Sequence, residues 1–184
     1  MPRLIPALAL TALLTLGLVG CAAPAADETA PDASLSTSAP ATPDAADEPS
    51  AADAADELCE TASGSEGDVC MLENATAAGD LSFSSFRIVK IIGGDFDGAI
   101  EVTGAEQLTI VEANVGGDLT VDAHGGAVVK LSTIGGTLNI VGVRSATLVK
   151  NSVGGDLLCA DGVQANGDGN SVAGDVTGTC SRVA

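Results

Sequence analysis

Val115-Gly116-Gly117-Asp118-Leu119-Thr120-Val121, Ile134-Gly135-Gly136-Thr137-Leu138-Asn139-Ile140 and Val153-Gly154-Gly155-Asp156-Leu157-Leu158-Cys159 are three copies of one phrase, each starting 19 residues after the last. A fourth, Val172-Ala173-Gly174-Asp175-Val176-Thr177-Gly178, keeps the interval, and an earlier one is read at Ile92-Gly93-Gly94-Asp95 with a four-residue insertion before Ile100-Glu101-Val102. Self-similarity at about 20 residues is the mark of a solenoid, in which each unit covers the apolar face of the next. Inside the phrase Leu119/Val121, Leu138/Ile140 and Leu157/Cys159 alternate with Thr120, Asn139 and Leu158, the period of a half-buried strand. A second strand is marked by Ile110, Val129 and Leu148, with Leu108, Ala127 and Ala146 two residues earlier.

The expected fold is all-β: a short single-stranded parallel β-helix of five 19-residue coils, right-handed, following a disordered tether. Stacking predicts one interior ladder of Ile92, Val115, Ile134, Val153 and Val172 and another of Ile100, Leu119, Leu138, Leu157 and Val176. The Gly-Gly pairs are expected to supply positive φ at tight corners. Composition agrees, since a chain with no Trp, no Tyr, three Phe and 23 Gly must build its core from aliphatic ladders.

Working outward, the sequence divides into residues 1–20, an export signal; 21–58, an acidic Ala/Pro linker; 59–85, a leading cap segment; and 86–184, the repeat domain. The first 21 residues open with Arg3, run uncharged and apolar from Leu4 to Leu18, and end in Leu18-Val19-Gly20-Cys21. This ending resembles the lipobox of bacterial lipoproteins. The resemblance implies diacylglycerol transfer to the Cys21 sulfur, cleavage before Cys21, and a protein held at the extracytoplasmic side of the bacterial membrane by its lipid. An ordinary secretory signal or an uncleaved anchor would leave an unmodified thiol, and the apolar run is shorter than the ~20 residues a span requires.

Residues 22–58 hold nine carboxylates and no Lys or Arg, a composition that cannot bury enough apolar surface to offset the entropy of ordering. As a flexible coil the segment would reach roughly 35 Å. Its Ser/Thr/Pro stretch from Thr29 to Thr42 reads as a spacer ahead of an O-glycosylated region. The net charge of −18, with six Lys and Arg beyond Arg3, argues against nucleic acid as a partner. The expected partners are the membrane, through the lipid, and an envelope protein or glycan.

Four cysteines besides Cys21 form two local pairs, Cys59 with Cys70 and Cys159 with Cys180, and in an exported chain both read as disulfides. With one His and no Cys-x-x-Cys spacing, zinc is the weaker alternative. Asp95, Asp118, Asp156 and Asp175 follow the glycines in each copy and would stack into a carboxylate file broken by Thr137. Oxygen ligands of that kind suit calcium, but solvation of a turn is the simpler role, so no metal and no cofactor beyond the lipid is expected. His124, beside Gly125-Gly126 and two residues from Asp122, reads as a turn residue, because no nucleophile elbow or converging triad accompanies it.

The stretch from Asn151 to Cys180 also resembles the C-terminal repeat of uncharacterised actinobacterial secreted proteins, a likeness that implies fold and carries no activity. The outward series Glu101, Thr120, Asn139, Leu158 and Thr177 lacks the regular Thr files of ice-binding solenoids. The resulting expectation is a non-enzymatic binding or spacer module. The alternative is a carbohydrate-active or cell-wall-modifying enzyme relying on Asp118 or Asp156. End-to-end polymerisation is disfavoured by the terminal cysteine pair.

Overall fold

A computed structural model describes residues 49–184; the leader, Cys21 and most of the acidic segment lie outside the described residues. Helix α1 (Ala51–Thr61) precedes a parallel β-solenoid of six coils. Coil one contains β1 (Val69–Glu73), β2 (Thr76–Ala77) and β3 (Leu81–Phe83), and coil two β4 (Ile88–Ile92), β5 (Asp95–Phe96) and β6 (Ile100–Thr103). Coil three contains β7 (Gln107–Val111), β8 (Asn114–Val115) and β9 (Leu119–Asp122), and coil four β10 (Gly126–Lys130), β11 (Thr133–Ile134) and β12 (Leu138–Val141). Coil five contains β13 (Ser145–Val149), β14 (Ser152–Val153) and β15 (Leu157–Cys159), and coil six β16 (Gln164–Asp168), β17 (Ser171–Val172) and β18 (Val176–Gly178). First, second and third strands each stack into a six-stranded parallel sheet, giving the solenoid three faces.

Every pairing is offset by 19 residues, from Val69 on Ile88 to Leu157 on Val176. The expected insertion in the second coil is therefore absent. Phe96 sits beneath Val115 in the second-face ladder, whereas Ile92 lies beneath Val111 at the edge of the first face and is 41% exposed. Two different corners each contain Gly-Gly-Asp or its like, and Gly93-Gly94 belongs to the earlier one. The ladder from Ile100 to Leu157 is buried as expected and continues downward through Leu81. Leu108, Ala127 and Ala146, with Ile110, Val129 and Leu148, fill the first face inside. Each large aliphatic so buried contributes about 1.5–3 kcal/mol.

The first coil starts at Val69, within the stretch read as a cap segment, and α1 starts within the stretch read as linker. Composition averaged over 37 residues hides the helix, but Ser50-Ala51-Ala52-Asp53 is a capping box. The Ser50 hydroxyl accepts from the Asp53 N–H at 3.2 Å, and the Asp53 carboxylate accepts from the Ser50 N–H at 3.3 Å. The helix packs on β3 and β1, burying Ala55 and Cys59.

The glycines act differently from expectation. Where the second face turns into the third, Gly79, Gly98, Gly117, Gly136, Gly155 and Gly174 form an unbroken column, but from Gly98 upward none has positive φ. Their requirement is close approach: a Cβ on Gly117 would lie 2.7 Å from the Ala99 nitrogen, and one on Gly155 2.9 Å from the Gly136 carbonyl carbon. Freed of side chains, the backbones bond directly, Gly117 N–H to Gly98 O at 3.0 Å and Gly155 N–H to Gly136 O at 2.8 Å. The left-handed residues sit at the first-to-second-face corner instead: Asn74, Gly93, Glu112, Leu131, Lys150 and Gly169, with φ from 52° to 71°.

Candidate functional site

Inside the first-to-second-face corner runs a polar ladder. The Ser132 hydroxyl accepts from the Ala113 N–H at 3.2 Å, Asn151 Oδ1 from the Ser132 N–H at 3.1 Å, and Asn170 Oδ1 from both the backbone N–H and the side-chain amide of Asn151. Ser132 and Asn151 are buried, and their neighbours meet the hydrogen-bonding demand that burial imposes. In sequence the three residues look like ordinary turn polars. The signal was their 19-residue spacing.

The aspartate file is structural in the same way. Asp80, Asp118 and Asp156 accept from the backbone N–H of Ala99, Thr137 and Asp175, each in the coil above, at 2.7–2.8 Å. The Asp118 and Asp156 carboxylates occupy the space a Cβ on Gly136 or Gly174 would need, so the glycine and aspartate columns are two halves of one corner. Asp95 leaves this file and accepts from the Asn114 amide at 2.7 Å on the second face, and Asp80 takes its place at the bottom. Among the described residues no three His, Cys, Asp or Glu side chains converge as metal ligands. Asp118 and Asp156, the acids of the glycan-cleaving alternative, stand in line along a corner with the Thr137 coil between them.

Both disulfides are present, Cys59–Cys70 and Cys159–Cys180. The first ties α1 to β1, and the second ties the last coil to the turn Thr179–Arg182. That turn is also held by Asn170, whose amide donates to Val183 O at 2.6 Å.

The third-to-first-face corner carries the remaining charge chemistry. Asp68, Arg87, Glu106, Gly125 and Arg144 succeed one another at 19-residue steps. Arg87 donates to Asp68 at 2.6 Å and to Glu106 at 3.2 Å, and its hydrogen bond holds the Asp68 carboxyl below the usual carboxylate range. The same contact raises the Arg87 guanidinium. With side chains 52% and 54% exposed, Arg87 and Asp68 are screened by solvent and orient the corner more than they stabilise it. One coil higher the column is interrupted by Gly125 and Gly126. A notch of about 600 Å³ opens there, lined by Glu106, Gln107, His124, Gly125, Gly126, Arg144 and Ser145. His124 is thus one wall of a depression rather than an isolated turn residue. Its companions were out of reach of sequence reading, because they become neighbours only through stacking.

The class defined by this architecture is a small three-faced parallel β-solenoid closed by a helix at one end and a disulfide-tied turn at the other. No protein-family model matches the chain, and no curated protein or solved structure matches it.

Proposed function

We propose that this chain is a bacterial envelope lipoprotein, anchored on the extracytoplasmic side through lipid on Cys21, whose solenoid serves as a non-enzymatic binding or spacer module. The observation that carries the reading is Leu18-Val19-Gly20-Cys21 closing an uncharged apolar run. Two disulfides support it, since such bonds persist in oxidising compartments. The non-enzymatic part draws support from what the carboxylates and the histidine do. Three of the aspartates are bound to backbone N–H groups, and among the described residues no side chain hydrogen-bonds the His124 ring. Two or three acyl chains, each CH₂ contributing about 0.8 kcal/mol on burial, give a stable anchor.

Growth with an alkyne-bearing fatty acid tests the anchor. The wild-type chain is expected to take up label and sediment with membranes, and Cys21→Ser to do neither. An unlabelled wild-type chain, or a labelled Cys21→Ser chain, overturns the reading.

A further inference from the structure

Gly126 is the glycine that the fold does not explain. It opens β10, where glycine gives up backbone entropy and side-chain packing. It has no positive φ, and a Cβ built on it would meet only Ser145 Oγ at 3.6 Å and Ser145 O at 3.8 Å, both ordinary contacts. Gly125 differs, because a Cβ there would run into the Glu106 carbonyl oxygen. Together the pair interrupts two outward columns, leaving Glu106 and Gln107 on one side of the notch, Arg144 and Ser145 on the other, and His124 beside them. The missing side chain at Gly126 costs strand stability and returns only space.

The rim chemistry says what the space suits. Every ion pair among the described residues is made by Arg87, so Arg144 has no carboxylate partner there. On a chain of net charge −18, an unpaired arginine beside the single histidine is positive charge held in reserve. Arg87, Lys90, Lys130, Arg144 and Lys150 all lie in first-face strands or at residues flanking them, and the notch opens at the edge of that same face. No aromatic ring lines the notch, so neither a neutral sugar nor an apolar ligand would find a stacking platform. Glu106 and Arg144 are two coils apart, about 10 Å at the usual strand spacing, the reach of one pyranose ring with an exocyclic acid.

We propose that this notch binds an acidic sugar, its carboxylate on Arg144 and the His124 ring N–H and its hydroxyls on Glu106, Gln107 and Ser145. The inference rests on the binding-module reading and gives that module a ligand class. Titration calorimetry on the full chain in detergent, with trigalacturonate, the neutral trigalactoside, and inorganic phosphate as a free anion, tests it. The acidic trisaccharide is expected to bind, the neutral one not, and phosphate far more weakly. Gly126→Thr, which fills the notch with a strand-favouring residue, and Arg144→Gln should each weaken binding about tenfold or more, the scale of one charged hydrogen bond, with melting unchanged.

Absence of heat with the acidic trisaccharide, equal binding of the neutral one, phosphate binding as tight, or wild-type affinity in both variants would each overturn the proposal. Should Gly126→Thr not fold, Arg144→Gln carries the test alone. Cross-linking in the native envelope separates the two levels. A neighbour captured equally by wild type and Gly126→Thr discards the notch while the module reading stands; no solenoid-dependent neighbour removes both.

Discussion

Leu131 and Gly136, five residues apart, hold opposite conformations at two neighbouring corners. Leu131 is a 50% exposed residue with φ of 54°, in a column where others use Asn or Gly. An L residue pays about 1–2 kcal/mol for that region, least when it is Asn. Gly136 has ordinary φ but no room above the Asp118 carboxylate. Substitution should therefore run against the usual intuition about glycine and leucine. Leu131→Asn is expected to raise stability by about 0.5–1 kcal/mol through relief of backbone strain. Gly136→Ala is expected to lower it by about 1–3 kcal/mol, the scale of overpacking, and to release the Asp118 to Thr137 hydrogen bond. Urea melts of the two variants against wild type check both signs. A destabilised Leu131→Asn would mean that the leucine packs more than its exposure indicates.

At the scale of elements, the ends of the stack decide whether the molecule is finite. Strands β1 to β3 present an unpaired edge on the side away from coil two, and α1 lies over β3 and β1 there. An exposed flat edge is a template for a second chain, so the Cys59–Cys70 tie also guards against association. Closing an 11-residue loop restricts the unfolded chain by about 3 kcal/mol. The double variant Cys59→Ser/Cys70→Ser is expected to lose roughly that much and to form dimers in sedimentation runs at rising concentration. Unchanged melting with a strictly monomeric profile would show that the helix holds by packing alone.

The same ends show how far the sequence could be read. The four upper phrases were legible because each repeats a hydrophobic, two small residues and an alternating strand. The lower coils were not. Ala77 stands where Val115 and Ile134 stand above it, and Ala78-Gly79 and Asp97-Gly98 replace the Gly-Gly pair. What identifies coil two is Phe96, 19 before Val115, a single apolar residue that Gly93-Gly94 outshouts. The candidate notch is less legible still, since it is defined by two absent side chains.

For the whole molecule, stability is spread along one axis, because each coil touches only the coils beside it. The register has no exceptions from Val69 to Gly178, so the solenoid should tolerate loss of one period and no other length nearby. Removing residues 126–144 joins Gly125 to Ser145 and sets coil five on coil three. Leu148 then meets Ile110, Val153 meets Val115, Leu157 meets Leu119, and the Asn151 amide finds the Ile110 carbonyl in place of the Val129 carbonyl it now uses. Inward residues stay inward, and the variant is expected to melt cooperatively at lower temperature. Its urea dependence should fall by about one sixth, since that slope follows the surface exposed on unfolding. Removing 126–143 instead shifts every later strand by one residue, which turns Leu148, Val153 and Leu157 to solvent and Thr147, Ser152 and Asp156 to the core. That variant should show no cooperative transition by circular dichroism. If both deletions fold equally well, the ladders do not set the register, and the close-packed glycine corner, the one feature indifferent to side-chain alternation, would be the element that does.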